Sequence, residues 1–298
     1  MKKYLKAGEI AYNVMNEALK MIKPGALLYD IAERIEKRIL ELGGRPAFPV
    51  NISIAHEAAH YTPTIGDSKR IPESGIVKVD IGVHVDGYIA DMARSIDLDG
   101  RYERIVTAAR EALDKAVERI SVGVSAREIG RVVESIAKNY GFKPVKNLSG
   151  HRLERYNLHA GNNIPNYPDP LALWRFSDNS AYAVEPFITT GSGIVSEDKN
   201  TVTIYSLRNV KTSLASDSVR EIVSLIERRF SKLPFCGRWL RDAYSNADRI
   251  LRELYNRKIL YGYPLLLDNP GSQVAQFEDT VVIFERQVIV TTRRRDIM

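Results

Sequence analysis

Residues 77–91 read VKVDIGVHVDGYIAD, a pattern that predicts a β-hairpin. Asp86 and Gly87 are a strong signal for a two-residue turn, because both residue types accept the positive φ angles that such a turn needs. With these two residues at the turn, the returning strand brings Asp91 opposite Gly82. The hairpin thus fixes a register, and the register decides which side chains share a face.

The register places two acidic side chains together. Side chains alternate along a strand, so Asp80 and Gly82 share a face, and Asp91 becomes a diagonal neighbour of Asp80 within about 7–8 Å. Gly82 is expected to leave the space between them empty. Two crowded carboxylates repel unless a proton or a cation lies between them, and hard divalent metals favour such oxygen ligands. The alternative is that both aspartates face solvent; apolar neighbours on both faces oppose it, but spacing alone leaves the two interpretations even.

The composition limits the classes of protein. The chain has 298 residues, 44% of them hydrophobic, and no run approaches the ~20 consecutive apolar residues that cross a bilayer. The start shows no signal peptide, and the single Cys236 excludes an internal disulfide or a cysteine-rich zinc module. The formal charge of +6 comes from interleaved acidic and basic residues, which favours a solvated mixed-charge surface over an RNA-binding one. We expect a soluble, cytoplasmic protein that binds neither DNA nor a membrane.

Two predicted helices and their punctuation recur along the chain. Apolar spacing predicts helices over residues 3–22 and about 28–42, and the pattern returns 98 residues later. This repeat indicates an α+β protein of two related halves, with a site in the cleft between them. Residues 213–260 are helical in pattern and interrupt the strands of the second half, as an insertion would. The matching pairs are Ala11/Ala109, Ala18/Ala116, Ile22/Ile120, Gly25/Gly123, Ile31/Ile129, Glu36/Glu134, Gly43/Gly141 and Pro46/Pro144.

Three further residues carry side chains suited to a metal. Glu185 lies in the predicted strand 181–185 and Glu278 in the predicted strand 273–283, where an unpaired carboxylate is costly. His151 adds an imidazole, although a lone histidine is more often structural than metal-bound. Together with the aspartate pair, these residues strengthen the case for a metal site.

Asp80, Asp91, His151, Glu185 and Glu278 resemble the D-D-H-E-E ligand set of the pita-bread (creatinase/aminopeptidase-like) metallopeptidases. The surrounding motifs are similar to those of type II methionine aminopeptidases of the archaeal kind, and the similarity covers nearly the whole chain. The motifs are PAFPVN (46–51), AAHYTP (58–63), DIGVHVDG (80–87), NLSGH (147–151), HAG (159–161) and AQFE (275–278).

This resemblance implies a single catalytic domain over residues 1–298, with halves of about 1–100 and 101–298 and a helical type II insertion over about 208–262. It implies removal of the initiator methionine from nascent proteins whose second residue is small. Two divalent ions (cobalt, manganese, iron or zinc) would activate a water molecule for attack on the first peptide bond. A monomer is implied, and transient association with ribosomes is left open.

The resemblance also implies roles for the metal-site residues. Asp91 and Glu278 would bridge the two ions, Asp80 would complete one, and His151 and Glu185 would hold the other. Glu185 would in addition transfer protons to and from the attacking water.

Four more residues are assigned to the substrate by the same resemblance. His60 and His159 match the two non-ligand histidines that contact the substrate beside the scissile amide, as catalytic and substrate-binding groups. Phe48 and Tyr263 are similar to residues that line the methionine pocket.

Some positions depart from the family pattern. Asp279 stands where many relatives have histidine; as the strand neighbour of Glu278, its side chain should point away from the metal face. Residues 167–177 are less recognisable, which leaves specificity beyond methionine open. His84 is expected to be partly exposed beside the turn, and His56 to lie at the pocket edge or surface.

Two other functions compete with this interpretation. A peptidase of the same fold that cleaves X-Pro bonds would share the ligands but lack the His60-Tyr61-Thr62-Pro63 context and the insertion. A catalytically silent relative that binds ribosomal RNA or partner proteins would be expected to have lost metal ligands, whereas all five are present.

Overall fold

The computed structural model describes residues 1–208 and 217–294, and in them helices and strands are mixed. The helices are α1 (Lys2–Leu19), α2 (Leu28–Glu41), α3 (Glu103–Arg119), α4 (Ala126–Asn139), α5 (Asp217–Phe230) and α6 (Ala247–Asn256), with a 3-10 helix at Gly237–Leu240. The strands are β1 (Arg45–Ile54), β2 (Glu57–Ala59), β3 (Ile76–Val85), β4 (Tyr88–Asp97), β5 (Lys143–Pro144), β6 (Ser149–Leu153), β7 (Ile164–Pro165), β8 (Ser180–Val184), β9 (Phe187–Thr189), β10 (Ser196–Leu207), β11 (Leu260–Leu267), β12 (Val274–Gln276), β13 (Asp279–Phe284) and β14 (Gln287–Val290).

Two helix pairs cover the sheets, as the sequence repeat predicts. Helices α1 and α2 pack on the antiparallel sheet β1-β3-β4 and enclose one apolar core. Helices α3 and α4 enclose a second core against strands that include β8, β9 and β12. The second helix of each pair spans the same repeat positions, Leu28–Glu41 and Ala126–Asn139. Each helix pair thus buries its apolar stripe on the strands of its own half.

The hairpin of β3 and β4 has the predicted register. Gly82 pairs with Asp91, and the turn residues Asp86 and Gly87 have φ angles of 51° and 82°. The expectation of empty space at Gly82 is wrong. A Cβ there would lie 2.3 Å from a ring atom of Phe48, whose residue is the register partner of Gly82 on β1. Glycine is therefore needed at position 82, because the Phe48 ring occupies the space that a side chain would fill.

The predicted continuous strand over 273–283 is also wrong, because the chain changes sheets within it. Strand β12 ends at Gln276 and pairs with β9, whereas β13 begins at Asp279 and pairs with β8. Between them, the Glu278 amide donates to the carbonyl of Ala93 at 3.0 Å, and the Ala93 amide donates back at 3.3 Å. The break thus attaches Glu278 to β4 of the first half.

A helical segment separates β10 from β11, two strands that pair with each other. It contains α5, the 3-10 helix and α6, which enclose a small apolar core together with residues of β10 and β11. Part of the predicted insertion, residues 209–216, lies outside the described residues, and the proposed boundaries of 208–262 stay a prediction. Among the helices of the described ranges, none is both long and apolar enough to span a membrane.

Candidate metal centre

The five predicted ligands come from different strands and from both halves. Asp80 and Asp91 lie on β3 and β4, where the hairpin register brings them to one face. His151 lies on β6, and Glu185 directly follows its partner strand β8. Glu278 occupies the break between β12 and β13. The cleft between the halves therefore collects the acidic and imidazole side chains in one place.

The distances between these side chains suit a shared cation. His151 Nε2 lies 3.8 Å from Asp91 Oδ2 and 3.6 Å from Glu185 Oε1. Asp91, His151 and Glu278 offer ligand atoms that all lie within 4.8 Å of one another. Ligands that share one ion at about 2.0–2.2 Å stand roughly 3–4 Å apart. Only small side-chain movements are needed to bring Asp91, His151 and Glu278 onto one ion.

The carboxylates of this cluster are short of partners. Across residues 1–208 and 217–294, no hydrogen bond reaches three enclosed oxygens: Oδ1 of Asp80, Oδ1 of Asp91 and Oε1 of Glu278. Burial raises the pKa of Asp80 to about 7. Burial, followed by the charge of Asp80, raises the pKa of Asp91 well above its ordinary value.

The same causes act on the glutamates. Burial raises the pKa of Glu278 strongly, with the charges of Asp91 and Glu185 adding to it. Burial also raises the pKa of Glu185, and the Asp91 charge contributes next. A cation would remove the repulsion and accept the unused oxygen lone pairs. The donor set, four carboxylates and one imidazole, therefore fits divalent metal ions.

A cavity of about 610 Å³ opens beside the cluster. His60, His159, Phe48 and Tyr263, the residues assigned to the substrate by resemblance, all line it. The ring of His159 lies 4.6 Å from that of His151, centroid to centroid, and the rings of His60 and Tyr263 are 5.5 Å apart. The structure thus brings every predicted site residue into one cavity.

The backbone and ring of His60 are held in an unusual arrangement. Its φ is 70°, a left-handed conformation that non-glycine residues rarely adopt. The Nδ1 atom lies 3.1 Å from the carbonyl of Pro264, so this nitrogen carries the proton and donates it. Burial, followed by the neighbouring His159, lowers the pKa of His60 to about 4. At neutral pH the ring is uncharged, and Nε2 is left as a hydrogen-bond acceptor.

The expectation of a partly exposed His84 is wrong. Only 7% of the residue is exposed, because Tyr156 packs against its ring at a centroid distance of 5.6 Å. The Gly87 amide donates to its Nδ1 at 3.1 Å. His84 therefore stabilises the turn of the hairpin.

Asp279 lies beside the cluster in sequence but faces other partners. Its buried carboxylate accepts hydrogen bonds from Arg94 Nη2 at 2.7 Å, Thr292 Oγ1 at 2.9 Å and Arg293 Nε at 2.6 Å. The side chain is absent from the cavity lining, in agreement with strand alternation.

Two further residues of the site escaped the sequence interpretation. Gln276 Nε2 donates to Glu278 Oε2 at 3.3 Å and to Glu185 Oε2 at 3.5 Å. Its spacing of two from Glu278 was the signal that could have found it. Asn51 lines the cavity opposite Asp80, and only the irregular register of β1 with β3 reveals that position.

Sequence comparisons place the chain among known proteins. The family model described as metallopeptidase family M24 matches residues 2–285. A methionine aminopeptidase of Saccharolobus solfataricus is 43% identical over 296 residues, which cover 98% of this chain and 98% of that protein.

Solved structures show the same fold. "Structure of a thermophilic Arx1" superposes with a TM-score of 0.86 at 19% identity, covering 99% of this chain and 91% of that one. A methionine aminopeptidase of Thermotoga maritima superposes with a TM-score of 0.72 at 21% identity, covering 98% and 96%. The expected pita-bread fold of two related halves is thereby confirmed. The chain belongs to metallopeptidase family M24 and is a hydrolase that acts on peptide bonds.

Proposed function

We propose that the protein is a methionyl aminopeptidase with a two-metal centre, which removes the initiator methionine from nascent chains whose second residue is small. The observation that carries this proposal is the cluster of four carboxylates and His151, which opens into the cavity. Three of its enclosed oxygens, one each on Asp80, Asp91 and Glu278, lack partners among the described residues. The 43% identity to an archaeal methionine aminopeptidase over nearly the whole chain supports methionine as the substrate side chain.

Asp80, Asp91, His151, Glu185 and Glu278 would hold the two ions, with Asp91 and Glu278 between them. When bound, cobalt, manganese, iron or zinc ions would lower the pKa of a water molecule and polarise the scissile carbonyl. Glu185, whose carboxylate lies within the cluster, would take a proton from water and later return it. Its position, 3.6 Å from His151 Nε2, keeps that proton at the centre of the cluster.

The histidines of the cavity would orient the substrate. His60 is neutral with its proton on Nδ1, so its Nε2 can accept a hydrogen bond from a backbone N–H or from the departing amine. The His159 ring packs against the His151 ring. His159 would contact the same peptide unit of the substrate as His60. Phe48 and Tyr263 would provide the apolar walls of the methionine pocket.

A metal-dependent assay on short peptides tests the proposal. The protein is loaded with cobalt, manganese or ferrous iron and given Met-Ala-Ser, Met-Gly and Met-Lys peptides, with products identified by mass spectrometry. Methionine should be released from the first two and not from Met-Lys. Release from an X-Pro peptide instead would favour the X-Pro peptidase, and no release with any metal would favour a silent binding protein.

The finer assignments belong to the same proposal. A single catalytic domain of two halves, acting as a cytoplasmic monomer without DNA or membrane partners, is the expected form. Transient contact with ribosomes, where nascent chains emerge, belongs to the same proposal, and the formal charge of +6 is compatible with it. Co-sedimentation with ribosomes that falls steeply as salt is raised would support this contact.

A further inference from the structure

A second cluster of buried charge lies outside the cavity, around Arg238 of the 3-10 helix. The Arg238 side chain has 0% exposure. A guanidinium has five N–H donors in a fixed planar arrangement, and a buried one needs an acceptor for each.

All five donors of Arg238 find acceptors. Its Nη1 donates to Glu33 Oε1 at 2.9 Å and to Glu36 Oε2 at 2.6 Å. Its Nη2 donates to Glu36 Oε1 at 2.7 Å and to Thr62 Oγ1 at 3.0 Å. The remaining donor, Nε, reaches the carbonyl of Pro63 at 2.8 Å. One side chain of the inserted segment therefore joins helix α2 to the loop that follows β2.

Glu36 extends this network to the strand that carries Phe48. Its Oε1 also accepts from the Val50 amide at 3.1 Å, and its Oε2 accepts from Trp239 Nε1 at 2.8 Å. Each carboxylate oxygen thus has two donors. The network is complete, which gives it a single preferred geometry.

The loop held by Arg238 is the one that follows His60. Thr62, with 0% exposure, and Pro63 are two and three residues beyond His60. A left-handed φ at His60 persists only where the surroundings fix the backbone on both sides. Before His60, Ala59 pairs with Leu266 of β11. After it, the Tyr61 carbonyl accepts from the Ile52 amide at 2.8 Å, and Arg238 binds the chain at the next two residues.

A second contact from the insertion acts on the same loop. Asp248, on α6, accepts a hydrogen bond from the Ile65 amide at 3.1 Å. The inserted segment therefore anchors the loop from Thr62 to Ile65 through two elements of its own.

We propose that Arg238 is a positioning residue that acts from the inserted segment, through Thr62 and Pro63, to hold His60 in the conformation that serves the cavity. This inference rests on the proposed function insofar as His60 contacts the substrate. It gives the insertion a role in the site without placing any of its charged groups against the substrate.

Arg238→Lys is the principal test, because lysine keeps the charge but has only three donors and no planar geometry. Hydrogen–deuterium exchange of the whole protein should show the hydrogen-bonded amides of Thr62 and Ile65 exchanging at least tenfold faster, with β3 and β4 unchanged. Arg257→Lys is the matched control, since Arg257 lies in the same insertion in a partly exposed pair with Glu253. It should leave residues 61–66 unchanged, and unchanged exchange in Arg238→Lys would overturn the proposal.

A double-mutant cycle on turnover supplies the functional readout. Arg238→Lys should lower kcat at least tenfold while KM and metal content change by less than twofold. In a His60→Ala background the same substitution should change kcat by less than twofold, because the group being positioned is gone. Equal losses in both backgrounds would show a general structural role and overturn the proposal.

Thr62→Val keeps the test decisive if Arg238→Lys does not fold. Valine matches threonine in shape and replaces the hydroxyl, which accepts from Arg238, by a methyl group, so the same exchange and cycle measurements apply. Exchange does not depend on activity. A wild-type protein without methionine release would therefore count against the proposed function, while the exchange result would still decide the inference.

Discussion

Two clusters of buried acidic groups differ in how their oxygens are matched. Glu36, beside Arg238, has two hydrogen-bond donors on each carboxylate oxygen. In the cavity cluster, by contrast, Asp91 and Glu278 each keep an enclosed oxygen without a partner among the described residues. Burying an unmatched charge is costly, so the second cluster must take up either protons or a cation. Carboxylates whose oxygens all have hydrogen-bond donors stabilise the fold, whereas buried carboxylates without such donors indicate the metal site.

The strongest challenge to this contrast is Glu278→Gln. The amide keeps the shape but removes the charge proposed to lie between the ions, so metal content and activity should fall together. A loss of roughly 1,000-fold in kcat/KM is expected, equal to about 4 kcal/mol of transition-state stabilisation. Metal analysis and peptide assays on the same preparation check it. Full activity with full metal content would show that the ligand assignment is wrong.

The matched cluster is tested by Glu36→Gln. Arg238 would remain buried with its nearest charge partner neutralised, which should lower the free energy of unfolding by about 3 kcal/mol. Urea denaturation measures this change. Glu17→Gln is the control, because Glu17 pairs with Arg38 on the surface and should cost less than about 1 kcal/mol. Similar losses in both variants would remove the distinction between matched burial and surface pairing.

Metal addition should stabilise the protein through the unmatched cluster. For an ion at 100 times its dissociation constant, binding to the folded state adds about 2.7 kcal/mol to the free energy of unfolding. Thermal unfolding of chelator-treated protein, with and without manganese, should therefore show a rise in Tm of several degrees. Glu278→Gln should show a smaller rise, and an equal rise would place the binding site elsewhere.

Part of the site was predictable because strand geometry is local. The turn at Asp86 and Gly87 sets the register, and the register alone brings Asp91 opposite Gly82. The break before Glu278 was not predictable in the same way. The pattern of residues 273–283 predicts one continuous strand, and the break appears only where Glu278 pairs with Ala93 of the other half.

Other errors have the same origin in distant contacts. His84 is buried by Tyr156, and the space at Gly82 is filled by Phe48, both from segments far along the chain or across a bulged register. The Arg238 network likewise joins distant residues: Arg238 and Glu36 are 202 positions apart in the sequence. Sequence spacing carries no information on such pairs. The spacing of two between Gln276 and Glu278, by contrast, can be seen in the sequence.

The contrast between matched and unmatched carboxylates is sharpest at two neighbours in sequence, Glu278 and Asp279. Asp279 is bound by two arginines and a threonine and does not line the cavity. Asp279→Asn should therefore keep the metal content of the wild-type protein and lower activity by less than about tenfold at saturating metal. Its free energy of unfolding should fall by only about 1–2 kcal/mol, since Arg94 and Arg293 are 17% and 37% exposed and can be solvated. Metal analysis and urea denaturation, run beside Glu278→Gln, separate the two positions. Loss of metal from Asp279→Asn would mean that a fully hydrogen-bonded carboxylate also affects metal binding. The distinction between Glu278 and Asp279 would then be wrong.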